Sequence, residues 1–375
     1  MAKYYPVAKH YITDEEIAAV TGVLKSNFLS RGPVGKEFEK IFAEKIGAKY
    51  AVATSSGTTG LHLAMLAANI GPGDEVITTP FTFIASGNCI IFCGAKPVFA
   101  DIDPKTFNID PKKIEEKITP RTKAILVVHI FGQAADMDPI IEIAKKHNLI
   151  IIEDACEATT AKYKGQSVGT FGESAVFAFF PNKQMTTGEG GMIVTSDQKK
   201  YELFMSLRNH GLKFDPSEQD YTRLGYNYRM NEMSAALGLT QFKKIDWLIQ
   251  KKREIAALYN KFLGPHTDLL ETPFTPGHNT HSWMSYAIKI KNLNTDQSPV
   301  VEQLEQRGIN TKPYFNSLHL FPLYRDRFGY KEGDFPISEA ISKSVLTLPF
   351  YIGLEEEDIK YITGELISIL KELKS

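Results

Sequence analysis

The feature that most constrains the fold is the alternation of short apolar strands with amphipathic helices over the first two thirds of the chain. Several of the candidate strands are apolar on both faces, as strands buried between two helix layers must be. Helices over 60–70 and 139–146 are examples of the segments between them. The pattern predicts an α/β fold with a mostly parallel central sheet. The candidate strands are 50–53, 75–78, 97–100, 124–129, 150–153, 175–179 and 192–195.

The pattern changes after about residue 245, and a smaller C-terminal α+β domain is expected there. We therefore predict a large domain over 1–245, whose N-terminal segment can pack on the small domain, and a small domain over 246–375. The predicted elements around and beyond this boundary are a long helical stretch over 235–262, strands over 283–290 and 311–314, and helices over 298–307, 337–344 and 355–374.

Charge and composition exclude several classes of partner. The 43 Lys and Arg residues nearly balance the 44 Asp and Glu residues, for a net charge of −1. No bulk attraction to nucleic acid or to an anionic membrane follows from such a balance. The 3 cysteines are an odd number, which argues against a disulfide scaffold. Residues 1–10 lack the apolar run of a signal peptide, and no apolar run is long enough to span a bilayer, so a cytoplasmic location is expected.

Three short motifs carry chemistry, and the first is the segment 53–60, Ala-Thr-Ser-Ser-Gly-Thr-Thr-Gly. A strand enters this turn and a helix leaves it, so backbone N–H groups at the helix N-terminus can bind a phosphate. It is neither a Walker loop nor a dinucleotide turn. Taken alone, the segment is equally typical of an ordinary Ser/Thr helix cap.

The second and third motifs place an acid and an amine after strands. Asp154 comes at the carboxyl end of the predicted strand 150–153, where a carboxylate can hold a protonated ring nitrogen or simply cap a helix. Lys183 follows the strand 175–179 and precedes Gly188-Glu189-Gly190-Gly191. A lysine buried there would be nucleophilic, whereas a solvated loop lysine would not. Phosphate turn, aspartate and lysine occur in the order that pyridoxal 5′-phosphate (PLP) chemistry requires.

These motifs, with others along the chain, resemble the sugar aminotransferases of the DegT/DnrJ/EryC1/StrS type, a branch of the fold-type I PLP enzymes. The resemblance runs nearly from end to end. Its segments are 30–33, 37–39, 56–58, 80–83, 129–133, 153–155, 183 with 187–191, 225–230 and 346–349.

The resemblance implies a role for each matching residue of the cofactor site. Lys183 would be the Schiff-base lysine, and Asp154 would pair with the pyridinium nitrogen. Phe83 would stack on the pyridine ring, with an ordinary core phenylalanine as the alternative. Gly57 and Thr58 would donate backbone N–H groups to the phosphate.

Further positions concern the neighbouring subunit and the pocket wall. Asn227 would reach the phosphate of the partner's cofactor, which implies a homodimer with shared active sites. Glu157 lies one turn beyond Asp154 and should face the same pocket. His129 is either a packed structural histidine or a pocket residue. Ala178 is a departure, since the family commonly has a phosphate-binding serine there, so phosphate binding must rest more on Gly57, Thr58 and Asn227.

The implied reaction moves an amino group from an amino acid, usually L-glutamate, to a keto-sugar nucleotide. Because some relatives that act at C4 have Glu at the position of Glu157, the expected substrate is an NDP-4-keto-6-deoxyhexose. Three other classes remain open: another fold-type I enzyme such as a desulfurase or lyase, a regulatory protein that binds PLP without turnover, and a nicotinamide dehydrogenase. A desulfurase is disfavoured because no cysteine lies on an obvious mobile loop. A dehydrogenase is disfavoured because the sequence lacks a G-x-G-x-x-G turn.

Overall fold

The computed structural model describes residues 3–214, 220–293 and 296–374. Three short 3-10 turns cover Glu115–Lys117, Ile130–Gly132 and Leu318–Leu320. The strands are β1 (Tyr50–Thr54), β2 (Glu75–Thr78), β3 (Lys96–Phe99), β4 (Thr122–Val128), β5 (Ile150–Asp154), β6 (Lys162–Tyr163), β7 (Gln166–Ser167), β8 (Ser174–Ala178), β9 (Gly191–Thr195), β10 (Leu270–Glu271), β11 (Asn279–Thr280), β12 (Tyr286–Ile290) and β13 (Val345–Leu348). The helices are α1 (Asp14–Leu24), α2 (Pro33–Ile46), α3 (Gly57–Ala67), α4 (Ile84–Phe92), α5 (Pro111–Ile114), α6 (Met137–His147), α7 (Gln198–Leu207), α8 (Glu232–Lys243), α9 (Ile245–Leu263), α10 (Ser298–Gln306), α11 (Pro322–Phe328), α12 (Pro336–Ser344) and α13 (Glu356–Lys374).

Seven strands form the central sheet, in the order β1-β9-β8-β5-β4-β2-β3. The strands β3, β2, β4, β5 and β8 pair in parallel, while β9 runs antiparallel to both of its neighbours, β8 and β1. All seven predicted strands are present in this sheet. The prediction of an α/β fold with a mostly parallel central sheet is therefore confirmed.

The topology brings the three chemical motifs to one edge of the sheet. Because β9 is antiparallel to both β1 and β8, the strands β1, β5 and β8 run in the same direction. Their carboxyl ends lead into the turn at Gly57, into Asp154 and towards Lys183. Ligands of open α/β sheets bind beyond such strand ends.

A second sheet, in the order β10-β12-β13, belongs to the C-terminal part of the chain. The N-terminal segment packs against this part, because the Tyr5 N–H donates to the Gly308 carbonyl at 2.8 Å and the Phe350 N–H donates to the Val7 carbonyl at 2.9 Å. These two hydrogen bonds join the N-terminal segment to the C-terminal part of the chain. Among the described residues, no helix combines the length and apolar character needed to cross a bilayer.

Helix α9 connects the two hydrophobic cores. Its first turns place Ile245 and Leu248 in the core under the large sheet, and its later turns place Ile255 and Tyr259 in the core of the second sheet. The helix therefore crosses the region in which the domain boundary at 245/246 was predicted, and that boundary stays a prediction.

Two predicted elements differ from the structure. The helical stretch 235–262 is present but is divided into α8 and α9, because the backbone leaves helical geometry at Lys244, with φ −110° and ψ 17°. The predicted strand 311–314 is reduced to one isolated bridge between Lys312 and Thr347. Pro313 lies inside that segment and has no N–H to donate, which prevents a longer ladder.

Candidate active site

Asp154 is a buried carboxylate without a positively charged partner in the described part of the chain. Its side chain is buried at the end of β5. One oxygen, Oδ2, accepts a hydrogen bond from the Ser86 hydroxyl at 2.7 Å, and Oδ1 accepts one from the Cys156 N–H at 3.2 Å. No Lys, Arg or His nitrogen among residues 3–214, 220–293 and 296–374 lies within 4.0 Å of it. Since buried charges are normally paired, the site is suited to a cationic ligand group.

Ser86 belongs to the first turn of α4, and this turn carries a second candidate residue. The Thr82 hydroxyl lies 2.9 Å from the Ser86 hydroxyl and extends the network of Asp154. Phe83 caps the same helix and is 58% exposed, which is unusual for a phenylalanine. Its ring is therefore free to cover a ligand at the sheet edge, and it is not a core residue. The sequence interpretation missed Ser86, which had no motif of its own.

Lys183 forms a largely buried ion pair with Glu157. Its Nζ lies 3.0 Å from Glu157 Oε1, and the two side chains are 12% and 7% exposed. Burial by itself lowers the pKa of Lys183, but the Glu157 carboxylate raises it above the ordinary value, with smaller contributions from Tyr314 and Cys156. In the absence of a covalent partner, Lys183 is therefore an ammonium ion.

Glu157 is held in position by two backbone contacts. Its Oε2 accepts a hydrogen bond from the Phe131 N–H at 2.9 Å, and its own carbonyl accepts one from Gln184 Nε2 at 2.5 Å. Phe131 has a φ of 55°, a conformation that non-glycine residues rarely adopt. A strained residue of this kind is found where the surrounding structure requires it. These contacts hold Glu157 beside Lys183, and its place in a pocket shared with Asp154 stays a prediction.

The turn before α3 presents free helix-end donors. Ser56 caps the helix by accepting a hydrogen bond from the Thr59 N–H at 3.1 Å. The N–H groups of Gly57 and Thr58 lie in the first turn, where an α-helix supplies no acceptor of its own. A Cβ on Gly57 would lie 2.7 Å from the Ala178 Cβ and 2.9 Å from Cys156 Sγ, so only glycine fits here. The turn is thus pressed against the residues that lead from Asp154 to Glu157.

The Gly-Glu-Gly-Gly segment, residues 188–191, packs against this turn through Gly191. Gly191 pairs with Thr54 across β9 and β1. A Cβ on Gly191 would lie 2.5 Å from the Ser56 carbonyl oxygen and 2.7 Å from the Gly57 nitrogen. The motif therefore shapes the phosphate turn itself. Ala178, where the family commonly has serine, places its methyl group next to Gly57 and has no hydroxyl to offer to a phosphate.

Asn227 is exposed and lies between two inward-facing tyrosines. The rings of Tyr226 and Tyr228 stack at 4.9 Å, and the Tyr228 hydroxyl lies 3.2 Å from Nδ1 of His62 on α3. Side chains alternate along an extended segment, so Asn227 faces away from its own chain. The Tyr228 carbonyl accepts a hydrogen bond from the Ser55 N–H at 2.8 Å, which places the whole segment beside the phosphate turn.

Of the two interpretations of His129, a packed structural histidine or a pocket residue, the contacts support the first. It is fully buried, and its Nδ1 accepts a hydrogen bond from the Ala135 N–H at 3.0 Å. Its Nε2 therefore carries the hydrogen atom and donates a hydrogen bond to Glu153 Oε2 at 3.1 Å. Glu153 also accepts hydrogen bonds from the N–H groups of Gly169, Phe171 and Gly172. This pair belongs to the scaffold of the sheet and not to the pocket.

Tyr314 is a site residue that the sequence did not indicate. Its hydroxyl accepts a hydrogen bond from Asn182 Nδ2 at 2.6 Å, one residue before Lys183. Burial, reinforced by the nearby Glu157 carboxylate, raises the pKa of Tyr314 above its ordinary value. Only the tertiary structure brings this residue from the C-terminal part of the chain to the lysine.

Comparison with known proteins assigns this geometry to a family. The sequence model of the DegT/DnrJ/EryC1/StrS aminotransferase family matches residues 10–367. GDP-perosamine synthase of Caulobacter vibrioides is 42% identical over 336 residues, which are 89% of each chain.

Two solved structures extend the likeness to the fold. PseC of Helicobacter pylori, an aminotransferase of pseudoaminic acid biosynthesis, has a TM-score of 0.92 at 29% identity over 99% of this chain and 100% of its own. The PLP form of a Streptococcus pneumoniae protein assigned as a sugar aminotransferase has a TM-score of 0.93 at 26% identity, over 99% and 100% of the two chains. The predictions of the enzyme class and of PLP as cofactor are confirmed. The chain belongs to the DegT/DnrJ/EryC1/StrS family of PLP-dependent aminotransferases.

Proposed function

We propose that this aminotransferase moves an amino group from L-glutamate to a keto-sugar nucleotide, an NDP-4-keto-6-deoxyhexose. One observation carries the proposal: a buried carboxylate, Asp154, and a buried amine, Lys183, both follow strand ends at one edge of the sheet. Among the described residues, Asp154 has no cationic partner. An acid of this kind suits the protonated nitrogen of the PLP ring. The amine suits the aldehyde of PLP.

The residues present fit PLP at three separate points. Asp154 offers a buried carboxylate, Lys183 offers an amine, and the first N–H groups of α3 offer phosphate donors. A side chain at position 57 would collide with the Ala178 methyl group, so Gly57 can offer only its backbone N–H to a phosphate. Phe83 supplies an exposed ring for the flat face of the cofactor.

PLP, when bound, supplies an electron sink for the carbon from which a proton is removed. Asp154 keeps the ring nitrogen protonated, and its hydrogen bond from Ser86 holds the carboxylate in place for that purpose. Lys183, once its amine is free, would take the proton from the α-carbon of the amino acid and hold it for the next stage of the transfer. Its low exposure excludes bulk water from this proton transfer.

Glu157 supports the choice of a 4-keto sugar. Its Oε1 lies 3.0 Å from the Nζ of Lys183, and some C4 enzymes of the family have Glu at this position. The similar GDP-perosamine synthase is named for an amino-sugar nucleotide, which agrees with a nucleotide-linked sugar substrate.

We also propose a homodimer with shared active sites. Asn227 faces outward beside the phosphate turn. The first helix and the loop after it expose Ile17, Leu24, Phe28 and Leu29, each more than half exposed. An apolar surface of this extent is typical of a protein–protein contact. A second copy of this chain would account for both the outward-facing Asn227 and the exposed apolar side chains.

A two-stage experiment tests the proposed reaction. L-Glutamate should convert the PLP form of the purified protein to the amine form, followed by its visible absorbance, and release 2-oxoglutarate. A set of NDP-keto-sugars is then supplied, and mass spectrometry detects the amino product, with NMR to locate the nitrogen. Binding of PLP without conversion by any amino donor would favour a regulatory protein. Nitrogen at C3 would refute the 4-keto assignment.

A further inference from the structure

Two buried donors hold Glu157 beside Lys183, and both donors are connected to one segment of the C-terminal part of the chain, residues 282–284. One donor is the Phe131 N–H, which lies 2.9 Å from Oε2 of the Glu157 carboxylate. The other is Gln184 Nε2, which lies 2.5 Å from the Glu157 carbonyl oxygen. Whatever fixes these two donors therefore also fixes the carboxylate relative to the amine.

The first connection runs through side chains. Gln184 Nε2 also donates a hydrogen bond to Ser282 Oγ at 2.9 Å, and the two residues are 3% and 0% exposed. A carbonyl oxygen can only accept a hydrogen bond, so the amide must turn its NH2 group towards Glu157. The amide oxygen has no partner among the described residues. The bonds to Glu157 and Ser282 are thus what holds this amide in place.

The second connection runs through the backbone. The Ser282 N–H donates to the Gly132 carbonyl at 2.9 Å. The Met284 N–H donates to the Phe131 carbonyl at 3.0 Å. Phe131 and Trp283 have left-handed backbone conformations, with φ of 55° and 53°. Gly132 allows the two turns to approach, because a Cβ there would lie 2.7 Å from the Trp283 nitrogen. Strained residues persist only where their surroundings fix them, so these contacts aim the Phe131 N–H.

We propose that Ser282 is a positioning residue that acts on Lys183 through Glu157. It holds the Glu157 main chain through Gln184, and it holds the adjoining turn through its own N–H. The carboxylate is thereby kept 3.0 Å from the Lys183 amine, where it stabilises the ammonium form. The segment 282–284 thus sets how much neutral amine is available to react with the cofactor aldehyde. This inference rests on the proposed role of Lys183.

The first test measures the neutral fraction of Lys183 in apo protein. Acetylation at a fixed, mildly alkaline pH is followed over time by peptide mass spectrometry, with the exposed Lys251 of the same chain as the internal reference. Ser282→Ala should raise the Lys183 rate about threefold relative to that reference, because a less well placed carboxylate stabilises the ammonium ion less. An unchanged or lower rate would overturn the proposal.

Ser285→Ala is the matched control for this substitution. Ser285 is a buried serine of the same stretch, 6% exposed, and its hydroxyl has no hydrogen-bond partner in the described part of the chain. The control deletes the same atom but neither connection to Glu157, so the Lys183 rate should stay at the wild-type value. A rise equal to that of Ser282→Ala would assign the effect to general loosening of the stretch and would reject the positioning role.

A double-mutant cycle separates an effect through Glu157 from easier access to the pocket. Glu157→Gln removes the charge but keeps the main-chain carbonyl that Gln184 contacts. In that background Ser282→Ala should not change the Lys183 rate further, because the carboxylate through which it acts is gone. A further rise of similar size would mean that the substitution opens the pocket, which contradicts the proposal.

Gly132→Ala tests the backbone connection and keeps the proposal testable if Ser282→Ala does not fold. Its methyl group would meet the Trp283 nitrogen at 2.7 Å and so force the two turns apart. The Lys183 rate should rise again, and only while Glu157 carries its charge. A wild-type rate in this variant would show that the segment 282–284 does not set the position of the carboxylate.

The proposed function and the role of Ser282 fail in different ways. If borohydride traps PLP on a residue other than Lys183, the proposed function is wrong, whereas the acetylation tests contain no PLP and are unaffected. A Ser282 effect that depends on Glu157, with PLP on another residue, would reject the reaction alone. No Ser282 effect, with PLP trapped on Lys183, would reject only the positioning role.

Discussion

The Nζ of Lys183 lies 3.0 Å from the Oε1 of Glu157, inside a pocket that leaves both side chains almost wholly buried. The carboxylate stabilises the ammonium form of the lysine and raises its pKa. The neutral amine, however, is the form that reacts with an aldehyde. Glu157 thus keeps Lys183 in place at the expense of its reactivity, and the following predictions test this relationship and the residues around it.

Glu157→Gln should lower the pKa of Lys183 in the apo protein. An amide is similar in size but uncharged, so burial is no longer opposed by a nearby negative charge, and the neutral amine becomes more populated at any given pH. The pH midpoint of Lys183 acetylation measures the change. Glu254→Gln, at an exposed ion pair on α9, is the control. A midpoint that stays at the wild-type value would show that the ion pair does not set the pKa.

Lys183→Ala should abolish transamination and the visible absorbance of covalently bound PLP. The alanine has no amine to attach the cofactor or to move the α-proton. Absorbance spectra and borohydride trapping measure attachment, and release of 2-oxoglutarate measures turnover. Full activity in this variant would sink the mechanism.

Asp154→Asn should reduce turnover by several hundredfold, or about 3–4 kcal/mol of transition-state stabilisation, as for loss of one strong electrostatic contact. The amide cannot keep a ring nitrogen protonated, although the hydrogen bond from Ser86 can persist. Turnover numbers and bound PLP are measured side by side. A loss of less than about threefold would mean that another residue holds the ring nitrogen.

Asn227 allows a test of the shared site in mixed dimers. Lys183→Ala and Asn227→Ala homodimers should both be impaired. If Asn227 serves the partner's phosphate, one site of each mixed dimer is intact, and random pairing restores roughly a quarter of all sites. Activity above the mean of the two parents measures the repair.

The alternative arrangement for Asn227 predicts the opposite result. The hydrogen bond from the Ser55 N–H to the Tyr228 carbonyl places the Asn227 segment beside the phosphate turn of its own chain. An Asn227 that acts within that chain leaves every mixed-dimer site with one defect. Absence of recovery, with mixed dimers shown to form and Asn227→Ala shown to be impaired, would rule out sharing.

Lys252→Met should stabilise the fold below pH 8. The pKa of Lys252 falls from 10.5 in the unfolded chain to about 8 in the folded protein. Because the unfolded state keeps this proton to higher pH, the group destabilises the fold at low pH, and the penalty disappears as pH rises from 8 to 10.5. The variant should therefore be more stable than wild type by roughly 3 kcal/mol at pH 7.

Urea denaturation of both proteins at pH 7 and above pH 10.5 measures this difference. Comparison within the pair removes the contributions of other titrating groups, which are common to both chains. An equal advantage of the variant at both pH values would mean that packing, and not charge, separates the two proteins.

The sequence by itself determined the order of the chemistry along the chain. The spacing of apolar residues within a strand or a helix is a local property of the sequence. The seven strands of the sheet and the strand-end positions of Asp154 and Lys183 could therefore be predicted. The carboxyl ends of parallel strands must meet at one edge, which made a common site predictable as well. The family pattern added Gly57, Thr58, Phe83, Glu157 and Asn227.

Only the tertiary structure decided which side chains meet. Ser86 reaches Asp154 across 68 positions, and Asn182 reaches Tyr314 across 132. Such contacts depend on how helices pack on the sheet, and no local pattern encodes them. The burial that lowers the pKa of Lys252 arises in the same way, because helix α9 carries this amine from one hydrophobic core towards the other.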